Sequence, residues 1–201
     1  NLYIPGKVHL IRTSQRRIES HMKEILRKMA GQLATGKGGD AGLADGEPPL
    51  SSLLIELDAE LKQGEKSAYE DMENKLLTET RYYLRYMNMR RTQAFVLGRI
   101  EGELKHLGEL PSQAQPIAEL MERISGGFHE YNNAVGLLEA LDAVKKAMRE
   151  QPLPELREEF ENRAVLFQIL LELEQFLEIK KEFVEELSAE EIGKFWRETT
   201  C

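Results

Sequence analysis

Cysteine is almost missing from this 201-residue chain: the one present is Cys201, the last residue. A disulfide framework is thereby excluded, and a cysteine-based metal site would need ligands the chain lacks. No stretch approaches the roughly 20 consecutive apolar residues that a membrane-spanning helix requires, and there is no signal peptide. No segment alternates apolar and polar residues with period two, so no sheet is expected. An excess of positive charge is also lacking. The net charge is −8, and an acidic body repels phosphates, so nucleic acid is not an expected partner. The chain starts at Asn1 without an initiator methionine, and the expectation is a segment of a longer protein.

What is present belongs to a folded helical domain. Apolar residues make up 41% and charged residues 31% of the chain, too apolar for a disordered segment and ordinary for a globular one. The length suits one domain, residues 1–201. Charge is unevenly spread. Residues 1–28 hold seven basic residues (Lys7, Arg12, Arg16, Arg17, Lys23, Arg27, Lys28) against Glu19 and Glu24, a net of +5, and the remainder carries −13. A basic segment beside a spanning helix marks the cytoplasmic side and can lie against anionic lipid. The plainer reading is a solvated helix face.

Periodicity and breakers divide the chain. Residues 1–7 form a lead-in broken by Pro5-Gly6. Ile11, Ile18, Met22, Ile25 and Met29 recur at helical spacing, predicting a helix from Val8 to Leu33. Residues 34–49 are rich in Gly, Ala and Asp and read as a flexible loop. A short helix is expected from Ser51, stopping near Gly64. One very long helix is then expected from Glu65 to Leu107, uninterrupted by proline and on the order of 60 Å long. Further helices are predicted over 112–124, 133–150 and 156–186. Residues 187–201 hold a short helix opened by Ser188-Ala-Glu-Glu191, which fits a capping box. The expected fold is therefore all-α: an antiparallel bundle of four to six helices with one very long helix and no sheet. On the helix around Phe160–Phe183, one broad apolar face holds Val165, Leu166, Ile169, Leu170, Leu173, Phe176 and Leu177. Phe160, Phe167 and Leu171 lie away from it.

Candidate chemistry is sparse. Glu103-Leu-Lys-His106 has the Glu-x-x-His spacing of di-iron bundles, but those need a second such motif, and none of the other histidines has a glutamate three residues earlier. The run Gly36-Lys-Gly-Gly-Asp40 lacks the spacing of a phosphate loop and reads as a linker. No metal, cofactor or catalytic group is expected, and the chain does not read as an enzyme. The one unusual segment is Arg81-Tyr-Tyr-Leu-Arg85-Tyr-Met-Asn88-Met-Arg90-Arg91. On a helix Arg81, Arg85, Asn88, Thr92 and Arg99 fall within about 80° of arc, flanked by Tyr82, Tyr83 and Tyr86. Forked guanidinium groups beside aromatic rings suit a carboxylate attached to a ring. The competing reading pairs these arginines with glutamates of neighbouring helices, among them Glu172, Glu174 or Glu178.

This arginine and tyrosine segment, the stretch Pro152-Leu-Pro-Glu-Leu-Arg-Glu-Glu-Phe160 running on to Ile179, and the opening Asn1-Leu-Tyr-Ile-Pro5 resemble the C-terminal domain of the putative aromatic acid exporter family of Gram-positive bacteria. The resemblance covers most of the chain and is weakest over 34–49 and beyond Glu186. It implies a cytoplasmic domain following a membrane-embedded N-terminal half, which would be its partner, in a membrane exporter of aromatic acids. Its role there would be assembly or gating, with a homo-oligomer left open. The alternatives are a sensing domain for an aromatic carboxylate, using Arg81, Tyr82, Arg85, Tyr86 and Asn88, or an interaction module unrelated to transport.

Overall fold

The computed structural model describes residues 6–35, 47–72 and 77–196 of the chain. Among these there are seven helices and no strand: α1 (Gly6–Thr35), α2 (Leu50–Met72), α3 (Leu77–Leu104), α4 (Ala114–Gly126), α5 (Val135–Arg149), α6 (Arg157–Glu185) and α7 (Ala189–Phe195). The fold is an all-α bundle. Helix α1 packs against α2, α3 and α4, α3 in turn packs against α6, and α5 packs against α6 and α4. The apolar positions read from the sequence of α1 (Ile11, Ile18, Met22, Ile25, Met29) are all buried, as are Leu166, Ile169, Leu170, Leu173, Phe176 and Leu177 of α6.

The helix expected over Glu65–Leu107 is two helices. α2 passes through Gly64 without stopping and ends at Met72; α3 begins at Leu77. The bridge from Arg91 Nε to Glu65 Oε1 at 2.6 Å brings the middle of α3 back beside α2, so the two run antiparallel. Burial supplies the reason. A single rod would leave the apolar residues of one half without a partner, whereas folding back sets Leu53, Leu57 and Leu61 against Tyr83, Met87 and their neighbours in one core. Gly64 is a crossing point and not a helix stop. A Cβ built there would lie 3.0 Å from Met87 Sδ and 3.5 Å from Ile18 Cδ1, so the missing side chain lets three helices approach. The longest helix is α1, with 30 residues. The described residues form seven helices, the short terminal one included; the break between the second and third falls after Met72 and not at Gly64.

Polar staples set the turns. Asn162, buried on α6, accepts from the Gly108 amide (3.1 Å) and donates to the Glu109 carbonyl (2.9 Å), fixing the α3–α4 turn. Arg163 donates to the Pro152 carbonyl (2.6 Å) and holds the proline turn before α6. At the start of α7 both halves of the capping box form: Glu191 N–H donates to Ser188 Oγ and Ser188 N–H to Glu191 Oε2. No helix among the described residues is long and apolar enough to cross a membrane. Residues 1–5 and 36–46, covering most of the expected lead-in and loop, lie outside the described residues, as do 73–76 of the expected long helix and 197–201 of the tail.

Candidate functional site

The charged residues of α3 divide between two faces. Arg81, Asn88, Thr92 and Arg99 are exposed. Arg99 Nε donates to Glu172 Oε2 at 2.8 Å, and Arg85 pairs with both Glu186 and Glu191 at 3.3 Å. The tyrosines of the predicted stripe turn inward: Tyr82 and Tyr86 are fully buried and Tyr83 nearly so. Of the anticipated glutamate partners, Glu172 holds Arg99, Glu174 holds Lys145 of α5, and Glu178 pairs along its own helix with Lys181. The basic residues of α1 separate too. Arg16 and Arg17 are exposed. Arg12 is half-buried and donates to Tyr83 Oη at 3.2 Å. The Lys7 side chain lies outside the described residues.

The densest polar arrangement lies behind that stripe and was not anticipated. Arg90, 1% exposed, sits in the core and uses all three guanidinium nitrogens. Nε donates to Tyr86 Oη (2.9 Å), Nη1 to Gln93 Oε1 (2.8 Å) and Nη2 to Glu19 Oε1 of α1 (3.0 Å). The Tyr86 hydroxyl also donates to Glu19. Gln93 passes the network on by donating to the Phe176 carbonyl of α6 (2.8 Å). The guanidinium carbon lies over two aromatic rings, 4.2 Å from the Phe128 centroid and 4.9 Å from that of Tyr86. One side chain thus ties α1, α3, α6 and the turn after α4 together. Burial alone would weaken the hold on its proton. The Tyr86 oxygen and Glu19 outweigh that and raise the pKa, so Arg90 stays charged. Burial, followed by the Glu19 charge, likewise lifts Tyr86 well above the usual range for a phenol, despite Arg90 beside it.

A second buried cation stands nearby. Lys180 of α6 is 4% exposed. Its Nζ donates to the main-chain carbonyl of Glu130 at 2.5 Å and lies 5.4–5.8 Å from the ring centres of Phe183, Trp196 and Tyr86. Burial first, then the neighbouring Arg90 charge, bring its pKa down to about 6, against the pull of Glu19 and Glu130. The Tyr82 hydroxyl donates to Glu130 Oε1 (2.5 Å) and accepts from the Trp196 indole (3.3 Å), and its ring stacks on Phe195 at 4.1 Å. Burial and then Glu130 raise the pKa of Tyr82 far above that of a free phenol. Between the two cations is a cavity of about 20 Å³, lined by Arg90, Lys180, Phe128, His129 and Asn132 among others, room for about one water molecule. Ala134, at the edge of this cavity, holds a left-handed φ of 64°, its amide caught by Asn132 Oδ1 at 2.7 Å.

Both residues had a legible signal. Lys180 follows Leu173 and Phe176 at helical spacing, and Arg90 follows Tyr86 and Tyr83, so each charge falls on an apolar face. Read as a stripe of like residues, α3 drew attention to its outer arginines and not to the one within the core. Among the described residues there is no group of three or more His, Cys, Asp or Glu able to hold a metal. His106 Nδ1 lies 2.8 Å from the Gly102 carbonyl of its own helix.

The geometry defines a class: a helical bundle clamped by an internal network of charges, in which no helix among the described residues is long and apolar enough to cross a membrane. Comparison supplies the family. Residues 9–181 match the family described as "Putative aromatic acid exporter C-terminal domain", and the chain belongs to it. It is 31% identical over 183 residues to the uncharacterized protein YqjA of Bacillus subtilis (strain 168), covering 91% of this chain and 54% of that protein. The chain thus spans about half the length of that curated relative. It is similar also to the crystal structure of a putative membrane protein from Clostridium difficile 630, with a TM-score of 0.74 and 27% identity, covering 89% of this chain and 99% of that one.

Proposed function

We propose that this domain acts on the cytoplasmic side of a membrane exporter of aromatic acids, in assembly or gating, and that α1 joins it to the membrane-embedded part. The observation that carries this reading is the place of α1. It packs against three other helices, and its Glu19 is gripped by Arg90 and Tyr86 at the centre of the bundle. A displacement of α1 would be passed to α3 and α6 through that network, because a packed core resists continuous deformation. The exposed Arg16 and Arg17 would suit anionic lipid on the cytoplasmic face.

The test uses the whole exporter in membrane vesicles, with labelled benzoate as probe. Its arms are removal of this domain and Arg90→Met, read as efflux rate and as particle size in mild detergent. Gating predicts slower efflux from particles of unchanged size; assembly predicts smaller particles. Unchanged efflux and size after removal of the domain would overturn both.

A further inference from the structure

Helix α7 is a small element with few attachments. It has seven residues, and of these Glu191 and Phe195 alone are buried. It lies beyond residue 181, where the match to the family ends. Its contacts with the bundle include Phe195 stacked on Tyr82 and edge-on to Tyr83, Glu191 paired with Arg85, and Trp196 at its C-terminal end against Tyr82 and Tyr131. Trp196 is also one of the three rings around the Lys180 amine. Glu130 joins the two ends of the arrangement, because its carboxylate receives the Tyr82 hydroxyl and its carbonyl receives Lys180.

We propose that α7 is a latch whose docking is linked to the protonation of Lys180, and whose release uncovers the aromatic face of α3 at Tyr82 and Tyr83. With α7 in place the ammonium has one protein acceptor, a main-chain carbonyl, and no carboxylate among the described residues within ion-pair distance. Removing Trp196 from the cage opens a path for water to Nζ and restores the ordinary preference for the charged amine. The groups facing Lys180 are Arg90 and Tyr86 from α3, Glu19 from α1, His129 and Glu130 from the turn before α5, Phe183 from its own helix and Trp196 from the end of α7. Arg90 keeps its charge and Tyr82 and Tyr86 keep their protons through the neutral range. Burial lowers the His129 pKa below the usual 6.5, and between pH 6.5 and 9.5 it is the lysine whose charge differs between the docked and the released state. The docked amine loses its proton near pH 6 and a solvated lysine near pH 10.5. In that window release takes up one proton and docking returns it to solvent. The latch therefore tightens as pH rises, by up to about tenfold in the docking equilibrium per pH unit.

Trp196 is the only tryptophan, so its fluorescence reports the latch directly. Emission of the intact chain is followed from pH 6.5 to 9.5, and the Lys180 Nζ resonance from about pH 5 to 11. The expected result is a shift toward a buried indole with rising pH, abolished in Lys180→Met. An emission spectrum that does not move, or one that moves equally in Lys180→Met, would overturn the proposal. Should Lys180→Met fail to fold, Phe195→Ala serves instead. It is expected to free Trp196 throughout the range and to return the Lys180 titration toward that of a solvated lysine. A titration left near pH 6 in Phe195→Ala would also overturn it.

Discussion

At the scale of single residues, the bundle's behaviour turns on two buried cations held in opposite ways. Arg90 has a carboxylate, an amide and a phenol around it, and its charge is satisfied. Replacing it by Met leaves the half-buried Glu19 charge without its guanidinium partner and the buried Gln93 Oε1 without its donor. Arg90→Met should therefore lower unfolding free energy by about 3–5 kcal/mol, read as a fall in the urea midpoint. Adding Glu19→Gln should recover part of that loss, because two charges removed together leave neither unpaired. Lys180 is held mainly by a main-chain carbonyl. Its pKa in the folded chain, about 6, lies below that of an unfolded lysine, about 10.5. Between these values the unfolded state binds more protons, so stability contributed by this group rises with pH and levels off below about 6. Urea titrations between pH 6.5 and 9.5 should show a gain of at most about 1.4 kcal/mol per pH unit that disappears in Lys180→Met.

At the scale of elements, close approach and backbone conformation govern where helices meet. Gly64 gives α2 its contact with Met87 and Ile18. Gly64→Val puts a branched side chain into that crossing and should cost about 1–3 kcal/mol in a urea melt, since a full core has to shift to admit it. Ala134 pays for its left-handed backbone at the start of α5. Ala134→Gly removes a strain of about 1–2 kcal/mol and gives back part of it as greater freedom of the unfolded chain, for a net gain of about 0.5–1 kcal/mol, visible as a higher melting temperature. Most helices were legible as elements. The apolar spacing of α1, the caps of α7 and the glycines and prolines around α4–α6 lay in the local sequence, and their limits fall within a few residues of expectation. The fold-back between α2 and α3 was not legible. Residues 73–76 are Glu-Asn-Lys-Leu, with no proline or glycine to announce an end, and Gly64, which does carry that signal, serves packing instead.

At the scale of the whole molecule, the surface is uneven. Around the proline turn and the outer side of α6, Leu153 is 88% exposed, Leu156 69% and Phe160 62%. Because these side chains bury little, Phe160→Ser should leave the urea midpoint within about 0.5 kcal/mol of the parent chain. A larger drop would mean that this face packs in solution. The sequence by itself determined the helical class, since hydrophobic period and turn residues act locally, and its motifs pointed to the family. It also located α3 as the helix with unusual chemistry. Only the tertiary structure decided which arginine mattered. A helix shows its own faces in its sequence, but not which neighbour covers each face. Glu19 lies 71 residues from Arg90 in the chain and Lys180 a further 90, and the pairing and desolvation of these charges exist only once α1, α3 and α6 have closed around them.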